Sequence, residues 1–312
     1  MFVPFFGARD VATAVTPEAA YTAVRDGFVA YARGDWTMQP KLYVTNYPAG
    51  DFRAMPALGG GHALLKWVTS FPGNPARGLP TVSGLVVLSD AETGVVVALL
   101  EAGAVTALRT GAAAVLAAET LGRADAETAA VVGAGVNGWA AARTFVARGH
   151  AVLLWDVDVT RAREAARELG AEVASSLQEA LAVDLLVTVT PGKEILLAEG
   201  SLRPGQHVSL MGADGPGKAE IALAELARAR IFCDDWEQAS HGGELAAAVA
   251  AGVLGRADVT VLGEVLAGSA PGRGDAGEIT VFDSTGLAIQ DLAIAKAALE
   301  RADELELTRL EL

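Results

Sequence analysis

The sequence predicts an α/β protein made of a doubly wound parallel sheet and a second, β-rich α+β domain. In the middle of the chain, short uninterrupted apolar segments alternate with Ala-rich helical segments, which is typical of parallel strands covered by helices on both faces. Residues 41–100 instead contain short β-rich segments separated by Gly, Pro, Asn and Asp, and these indicate an antiparallel or mixed sheet. A chain of 312 residues, 52% of them hydrophobic, is long enough to bury the cores of two domains.

Local signals place the first elements along the chain. Thr16, Pro17 and Glu18 form a helix start, with a hydroxyl cap, a proline at the first helical position and an acid in the first turn. This helix is predicted to run to about Ala32. The predicted strands of the β-rich part are KLYVTNY, LLKWVTSF, TVSGLVVLSD and GVVVALLE.

The elements that follow alternate between helix and strand. An Ala-rich helix is predicted to begin near Thr110 and to end at Gly122. The next predicted strands are ETAAVVGAG, AVLLWDVD, LLVTVT and HVSLMGA, and the next predicted helices are VNGWAAARTFVARG, TRAREAARELG with Thr160 as its cap, IALAELARA and ELAAAVAAG. From Asp283 to its end, the chain is predicted to form one long helix.

The composition excludes several classes of protein. A formal net charge of -14 disfavours nonspecific binding to nucleic acid or to an anionic membrane, although a few clustered cations can still hold a small anionic substrate. Cys233 is the only cysteine, so no intrachain disulfide can form and a reducing compartment is expected. The first residues lack the pattern of a signal peptide, and Asp90 and Glu101 interrupt the apolar runs. We therefore expect a cytoplasmic protein.

A glycine motif predicts a dinucleotide site of the Rossmann type. Gly133, Gly135 and Gly138 have the GxGxxG spacing, and they stand between a predicted strand and a predicted helix. Asp156 closes the next strand, where a carboxylate accepts a hydrogen bond from a ribose 2′-OH and repels a 2′-phosphate, which favours NAD. Because Arg161 and Arg163 follow closely, NADP stays an alternative. The predicted cofactor-binding residues of this part of the chain are Gly133, Gly135, Val136, Asn137, Gly138, Asp156 and Thr188.

Further motifs resemble the ornithine cyclodeaminase/mu-crystallin family, which includes an archaeal alanine dehydrogenase and several imine reductases. They are DFRAMP, LKWVTSFPGNP, GLPTVSGLVVLSDAETG, ALRTGAAA, MGADGPGK and EITVFDSTGLAIQD, in the same order as in the family. The resemblance implies a homodimer. It also implies a substrate-binding and dimerisation domain formed from both chain ends, residues 1–112 and 285–312, around an NAD(P)-binding Rossmann domain, residues 113–284.

The same resemblance assigns the substrate residues. Lys41, Lys66 and Arg109 are expected to hold the carboxylate of an amino or keto acid, and an arginine can do so with two parallel hydrogen bonds. Thr81 is expected near the substrate and the nicotinamide. Thr110 is expected to open a helix that meets the cofactor phosphates. Ser284 and Asp283 match a motif on the nicotinamide side, and an N-cap role of Asp283 on the last helix is an equal alternative.

The stretch LMGADGPGK carries a lysine and an acid, and either could be its functional residue. Lys218 lacks the spacing and the following Ser or Thr of a phosphate-binding loop, so it is not expected to bind phosphate. Asp214 follows a strand of the parallel sheet and matches the family's acidic residue, which indicates a role in proton transfer. An aspartate before Gly and Pro can also simply stabilise a turn. We expect Asp214 to be catalytic, together with Lys66.

These assignments lead to three functional hypotheses. The first is an NAD(P)-dependent oxidoreductase that acts on the C–N bond of a small L-amino acid or its imine or keto acid. Ornithine cyclodeaminase is the second, and Arg53 counts against it because an arginine would repel the side-chain ammonium of ornithine. The third is a crystallin-like protein that binds NAD(P)H without catalysis, which the presence of Asp214 disfavours. No metal site is predicted, because His207 and His241 lack partners at ligand spacing.

Overall fold

The computed structural model describes residues 2–192, 194–213, 215 and 217–312. The strands are β1 (Phe2–Phe6), β2 (Thr37–Met38), β3 (Leu42–Asn46), β4 (Gly50–Gly59), β5 (His62–Ser70), β6 (Val82–Asp90), β7 (Val96–Glu101), β8 (Ala129–Val132), β9 (Val152–Trp155), β10 (Glu172–Val173), β11 (Leu185–Thr188), β12 (His207–Leu210), β13 (Arg230–Cys233), β14 (Val259–Val261), β15 (Thr280–Asp283) and β16 (Thr308–Glu311). The helices are α1 (Ala8–Ala14), α2 (Pro17–Ala32), α3 (Ala102–Leu121), α4 (Val136–Ala147), α5 (Val159–Leu169), α6 (Leu177–Leu181), α7 (Leu223–Leu226), α8 (Trp236–Gly242), α9 (Leu245–Ala250), α10 (Leu262–Leu266) and α11 (Ala288–Leu299).

The chain forms two compact units. Unit 1 contains the residues up to Arg109 together with Leu287–Leu312, and unit 2 contains Thr110–Gly286. The sequence predicts the domain boundaries between residues 112 and 113 and between residues 284 and 285.

Unit 1 is built on a mixed sheet, as the β-rich segments predict. Its strand order is β16-β1-β7-β6-β5-β4-β2, and β3 also pairs with β4. Strands β1 and β7 are parallel, whereas the other pairs are antiparallel. Helix α11 packs against α2 and against β4 and β5. Because side chains alternate across a strand, Leu64, Lys66 and Val68 of β5 share the buried face of the sheet.

Two predictions for unit 1 concern helix ends. The predicted helix start at Thr16 is confirmed, since its hydroxyl accepts a hydrogen bond from Ala19 N (3.2 Å) and α2 runs to Ala32. The prediction of one long C-terminal helix is wrong, because α11 ends at Leu299 and β16 pairs with β1 at the other end of the chain. The alternation in the segment ELELTRLEL has the period of a strand, and the long-range partner completes the pairing.

Unit 2 is a parallel α/β sheet, as predicted. Its strand order is β10-β9-β8-β11-β12-β15-β13-β14, and each of these pairs is parallel. The chain passes from β8 to β9 and β10 on one side, and then returns to β11 and β12 on the other. This reversal lies at β8 and β11, and the carboxyl ends of strands at such a reversal are where ligands bind in doubly wound sheets.

Helix α3 begins earlier than predicted. It starts at Ala102, because the carboxylate of Glu101 accepts hydrogen bonds from Gly103 N (2.7 Å) and Ala104 N (2.6 Å) and so caps the helix. Thr110 therefore lies inside α3, and the expectation that it opens a helix is wrong. By length and composition α3 could also cross a membrane, but most of it is buried in the protein, as in the core helix of a soluble protein.

Two further expectations for unit 2 are settled by local contacts. Helix α5 is capped by Asp158, not by Thr160, because the Asp158 carboxylate accepts from Thr160 N (3.0 Å) and Arg161 N (3.3 Å). Cys233 lies buried in β13, and burial raises the pKa of its thiol, so it is a small apolar side chain without nucleophilic character at neutral pH.

Candidate active site

The glycine-rich turn joins β8 to α4 at the reversal of the sheet order. Gly133 has a φ of 102°, a left-handed conformation that favours glycine, and its N–H donates to Trp155 O (2.8 Å). A Cβ at Gly138 would overlap the carbonyl oxygen of Gly133. The fold itself therefore requires glycine at both of these positions.

Gly135 differs from the other two glycines because the fold does not require it. Its φ of -71° is open to any residue. Among the described residues, no heavy atom outside its own chain neighbours lies within 4 Å of the place that a Cβ would take. A glycine here leaves free space directly before the N-terminus of α4, where N–H groups can receive a phosphate. The turn thus fits a dinucleotide.

Asp156 lies against this turn. Its carboxylate accepts hydrogen bonds from Ala134 N (2.7 Å) and Asp158 N (2.8 Å), and the exposed Arg161 approaches it to 3.5 Å. The acid predicted to bind a ribose hydroxyl therefore also holds the backbone between Gly133 and Gly135.

Thr188 and Thr110 occupy buried positions in unit 2. The Thr188 hydroxyl donates to Glu220 Oε2 (2.6 Å), and Glu220 Oε1 accepts from Thr190 N (2.9 Å). Glu220 therefore holds the loop that follows β11 in place through these hydrogen bonds. Burial raises the pKa of the Glu220 carboxyl group. The Thr110 hydroxyl is buried without a hydrogen-bond partner among the described residues. Beside it, a Cβ at Gly111 would lie 2.6 Å from the Ala140 backbone, so this glycine allows α3 and α4 to pack closely.

Asp283 is the last residue of β15 and Ser284 follows it, and both lie in a buried acidic network. Asp283 does not cap α11, which begins at Ala288, because its carboxylate accepts from Leu245 N instead (3.2 Å). Ser284 Oγ donates to Asp234 Oδ2 (3.1 Å). Burial and the neighbouring Asp234 and Glu244 raise the pKa of Asp283 well above its usual range.

Unit 1 contains a buried cluster of charged side chains. Lys66 Nζ lies 2.9 Å from Asp291 Oδ1, and the two side chains are 1% and 0% exposed. Arg109 Nε lies 3.7 Å from the same oxygen, while Arg109 Nη1 donates to Gln290 Oε1 (3.4 Å). The structure thus brings Lys66 and Arg109, two of the predicted substrate residues, to one carboxylate.

The cluster retains hydrogen-bonding capacity. Arg109 Nε and Gln290 Nε2 are buried and have no hydrogen-bond acceptor among the described residues. Buried donors are normally satisfied, so these two fit an additional anionic group such as a substrate carboxylate. Burial lowers the pKa of Lys66 from 10.5 to about 8, and the positive charges of Arg109 and Arg53 act in the same direction.

Arg53 is paired, which the sequence does not reveal. Its Nε lies 2.6 Å from Asp51 Oδ1, and its guanidinium stacks over the Tyr43 ring with 5.4 Å to the centroid. Because the ion pair has no net charge, repulsion of a cationic substrate by Arg53 is weaker than the sequence suggests.

The remaining predicted substrate residues lie next to strands. Lys41 directly precedes β3 and is half-buried. Thr81 directly precedes β6, and its carbonyl oxygen accepts from Phe71 N (2.8 Å). Asp214 lies outside the described residues.

Several functional candidates were missed from the sequence. Gln290 and Asp291 are adjacent polar residues in the otherwise apolar run GLAIQDLAIA, and such a pair in a buried helix is the signal that could have identified them. Asp51 and Glu220 carry no comparable signal, since an isolated acid is usually a solvated surface residue.

The chain belongs to the ornithine cyclodeaminase/mu-crystallin family, whose model matches residues 5–306. An alanine dehydrogenase of Archaeoglobus fulgidus is 42% identical over 303 residues, which cover 94% of this chain and 93% of that protein. An iminosuccinate reductase of Paracoccus denitrificans is 35% identical over 312 residues, with 94% and 95% covered. The solved structure of an archaeal alanine dehydrogenase dimer with bound NAD superposes with a TM-score of 0.94 at 38% identity, and all of both chains is covered.

Proposed function

We propose that the protein is an NAD-dependent oxidoreductase that acts on the C–N bond of a small L-amino acid or its imine or keto acid. The observation that carries this proposal is the buried cluster of Lys66, Arg109 and Asp291, in which Arg109 Nε has no hydrogen-bond acceptor among the described residues and burial lowers the pKa of Lys66 to about 8. Family membership and relatives named as an alanine dehydrogenase and an iminosuccinate reductase support it.

The proposed site residues have separate roles in substrate binding and proton transfer. Arg109 and Lys41 anchor the substrate carboxylate, and Arg109 can do so through the donor that has no acceptor in the cluster. Lys66 contacts the imine or carbonyl group and donates a proton to it, and Asp214 is the second residue that transfers protons. Reduction of C=N consumes one proton at nitrogen and one hydride at carbon. Bound NADH would supply that hydride.

NAD is the proposed cofactor, held by the turn from Gly133 to Gly138, with Asp156 at the ribose. The free space at Gly135 supports this assignment, as does the NAD bound in the structure of the archaeal alanine dehydrogenase. The acid at position 156 favours NAD over NADP.

Matched alanine substitutions in the turn separate binding from folding. Gly135→Ala is expected to raise the Kd for NADH about 10–100-fold, because hydrogen bonds to a charged group contribute about 1.5–3 kcal/mol each. Its free energy of unfolding should change by less than about 1 kcal/mol. Gly138→Ala should instead lower that free energy by about 1–3 kcal/mol, because the new methyl group overlaps Gly133. Fluorescence titration measures the Kd for NADH, and denaturant unfolding measures the free energy of unfolding. Unchanged NADH binding in Gly135→Ala would contradict the proposal that this turn binds the cofactor.

We further propose that the protein is a homodimer that pairs through the outer face of the unit 1 sheet. Leu58, Leu65 and Trp67 on this face are 47%, 44% and 42% exposed, and such apolar patches mark protein interfaces. The archaeal alanine dehydrogenase structure is also a dimer. Sedimentation equilibrium of the wild-type protein and of Trp67→Lys tests this proposal, and a monomeric wild-type protein would contradict it.

A substrate screen tests the proposed activity. Small keto acids with ammonium or methylamine, and cyclic imines with a carboxylate, are incubated with NADH or NADPH, and cofactor absorbance is followed. We expect NADH to be oxidised with at least one small substrate. Formation of proline from ornithine without net change in NADH would identify a cyclodeaminase, and NADH binding without turnover on the whole panel would indicate a binding protein.

A further inference from the structure

Asp291 is the acid at the centre of the charged cluster in unit 1. Its Oδ1 atom receives the Lys66 ammonium at 2.9 Å and lies 3.7 Å from Arg109 Nε. Its Oδ2 atom is buried and has no hydrogen-bond partner among the described residues. One carboxylate oxygen therefore orients two cations, both of which were assigned to the substrate from the sequence.

Asp291 lies in the buried part of α11. Ile289 and Leu292 of the same helix are also fully buried. A buried ion pair of this kind is weak evidence for stability, because well-packed apolar residues often replace such a pair at no net cost. Its presence therefore calls for an explanation other than packing.

The charges that face Lys66 come from three elements. Arg109 of α3 and Arg53 of β4 disfavour the protonated amine, as does burial, whereas Asp291 of α11 favours it through its charge and its hydrogen bond. These opposing effects leave the pKa of Lys66 at about 8. Without the Asp291 carboxylate, the remaining contributions all lower this pKa, so Lys66 would lose its proton near or below neutral pH.

We propose that Asp291 is a positioning residue that holds Lys66 beside Arg109 and keeps its amine protonated for proton donation to the substrate. This role rests on the proposed function, because it assumes that Lys66 is the proton donor. Asp291 itself transfers no proton and forms no bond with the substrate.

The protonation of Lys66 can be measured without any turnover. The chain contains five lysines, so protein labelled with ¹³C at the lysine ε-carbon should give few resonances, and Lys66→Met identifies the one from Lys66. We expect a titration midpoint of about 8 in the wild type. In Asp291→Asn the midpoint should fall by about 1–3 pH units, the usual effect of losing an opposite charge at this distance. An unchanged midpoint would overturn the proposal.

The pH profile of kcat/KM for imine reduction gives the second measurement. Because Lys66 must be protonated, the wild-type profile should fall above about pH 8, and the profile of Asp291→Asn should fall at a pH about 1–3 units lower. Loss of activity at every pH without this displacement would mean that Asp291 is only structural. The matched control is Glu225→Gln, which removes a buried acid paired with Arg228 in unit 2 and should leave the profile in place.

Asp291→Glu keeps the test decisive if Asp291→Asn does not fold. This variant retains the charge but displaces the amine of Lys66, so the Lys66 midpoint should stay near 8 while kcat falls about 10–100-fold. Full kcat in Asp291→Glu would overturn the positioning role. If the wild type lacks turnover on every substrate but the NMR midpoints behave as expected, the proposed function fails while the influence of Asp291 on Lys66 stands.

Discussion

Replacing Lys66 with methionine is expected to lower kcat/KM for imine reduction by about 10²–10⁴-fold, the usual contribution of a general acid. The side chain is 1% exposed and lies 2.9 Å from Asp291, so methionine retains most of the buried volume but removes the amine and its proton. The Kd for NADH should remain unchanged, because Lys66 is not among the residues that are proposed to hold the cofactor. Steady-state kinetics and an NADH titration measure the two effects.

The control for this variant is a second lysine-to-methionine change in unit 1. Lys296 lies on α11, where its amine donates to Gly60 O (2.6 Å) and stacks on Trp36. It does not belong to the charged cluster, so Lys296→Met should retain nearly full kcat/KM. Similar activity losses in both variants would mean that the effect of Lys66→Met reflects general damage to unit 1. Near-normal activity of Lys66→Met would show that Lys66 is not the proton donor.

Replacing Asp214 with asparagine is the second change with a large expected effect. Asp214 is the acid of the segment between β12 and Glu220. Its replacement by asparagine preserves the size of the side chain but removes the carboxylate that can accept a proton. We expect turnover to fall by about 10²–10⁴-fold and NADH binding to remain. Single-turnover kinetics with saturating NADH, together with an NADH titration, test this expectation.

The outcome for Asp214→Asn distinguishes catalysis from turn formation. If the aspartate only stabilises its turn, the variant should lower the free energy of unfolding and keep its activity at low temperature. Asp303→Asn changes an exposed acid in a short helical turn and provides the matched control, for which wild-type kinetics are expected. Full activity of Asp214→Asn would exclude the proton-transfer role.

Local patterns predicted those features whose cause is local. The parallel sheet followed from uninterrupted apolar strands between helices, and the glycine-rich turn followed from the spacing of Gly133, Gly135 and Gly138. Thr16 was recognised as a helix cap because its hydrogen bond reaches only to Ala19. In each case the interacting groups are close in sequence.

Features formed by distant residues could not be predicted in the same way. Lys66 and Asp291 are separated by 225 residues, and their ion pair exists only because α11 packs on β5. The pairing of β16 with β1 joins the two ends of the chain. The start of α3 was misplaced for a different reason, since Glu101 both ends a strand and caps the helix, and no change of composition marks that boundary.

The reaction proposed for this protein is the transfer of a hydride from NADH to the carbon of a C=N bond. The most direct measurement uses NADH with deuterium at the transferable position of the nicotinamide and the best substrate from the screen. Mass spectrometry and proton NMR of the product then locate the label. We expect an amino acid with one deuterium at the former imine carbon and one NADH consumed per product. Product without deuterium, or proline formed from ornithine with no net consumption of NADH, would contradict it.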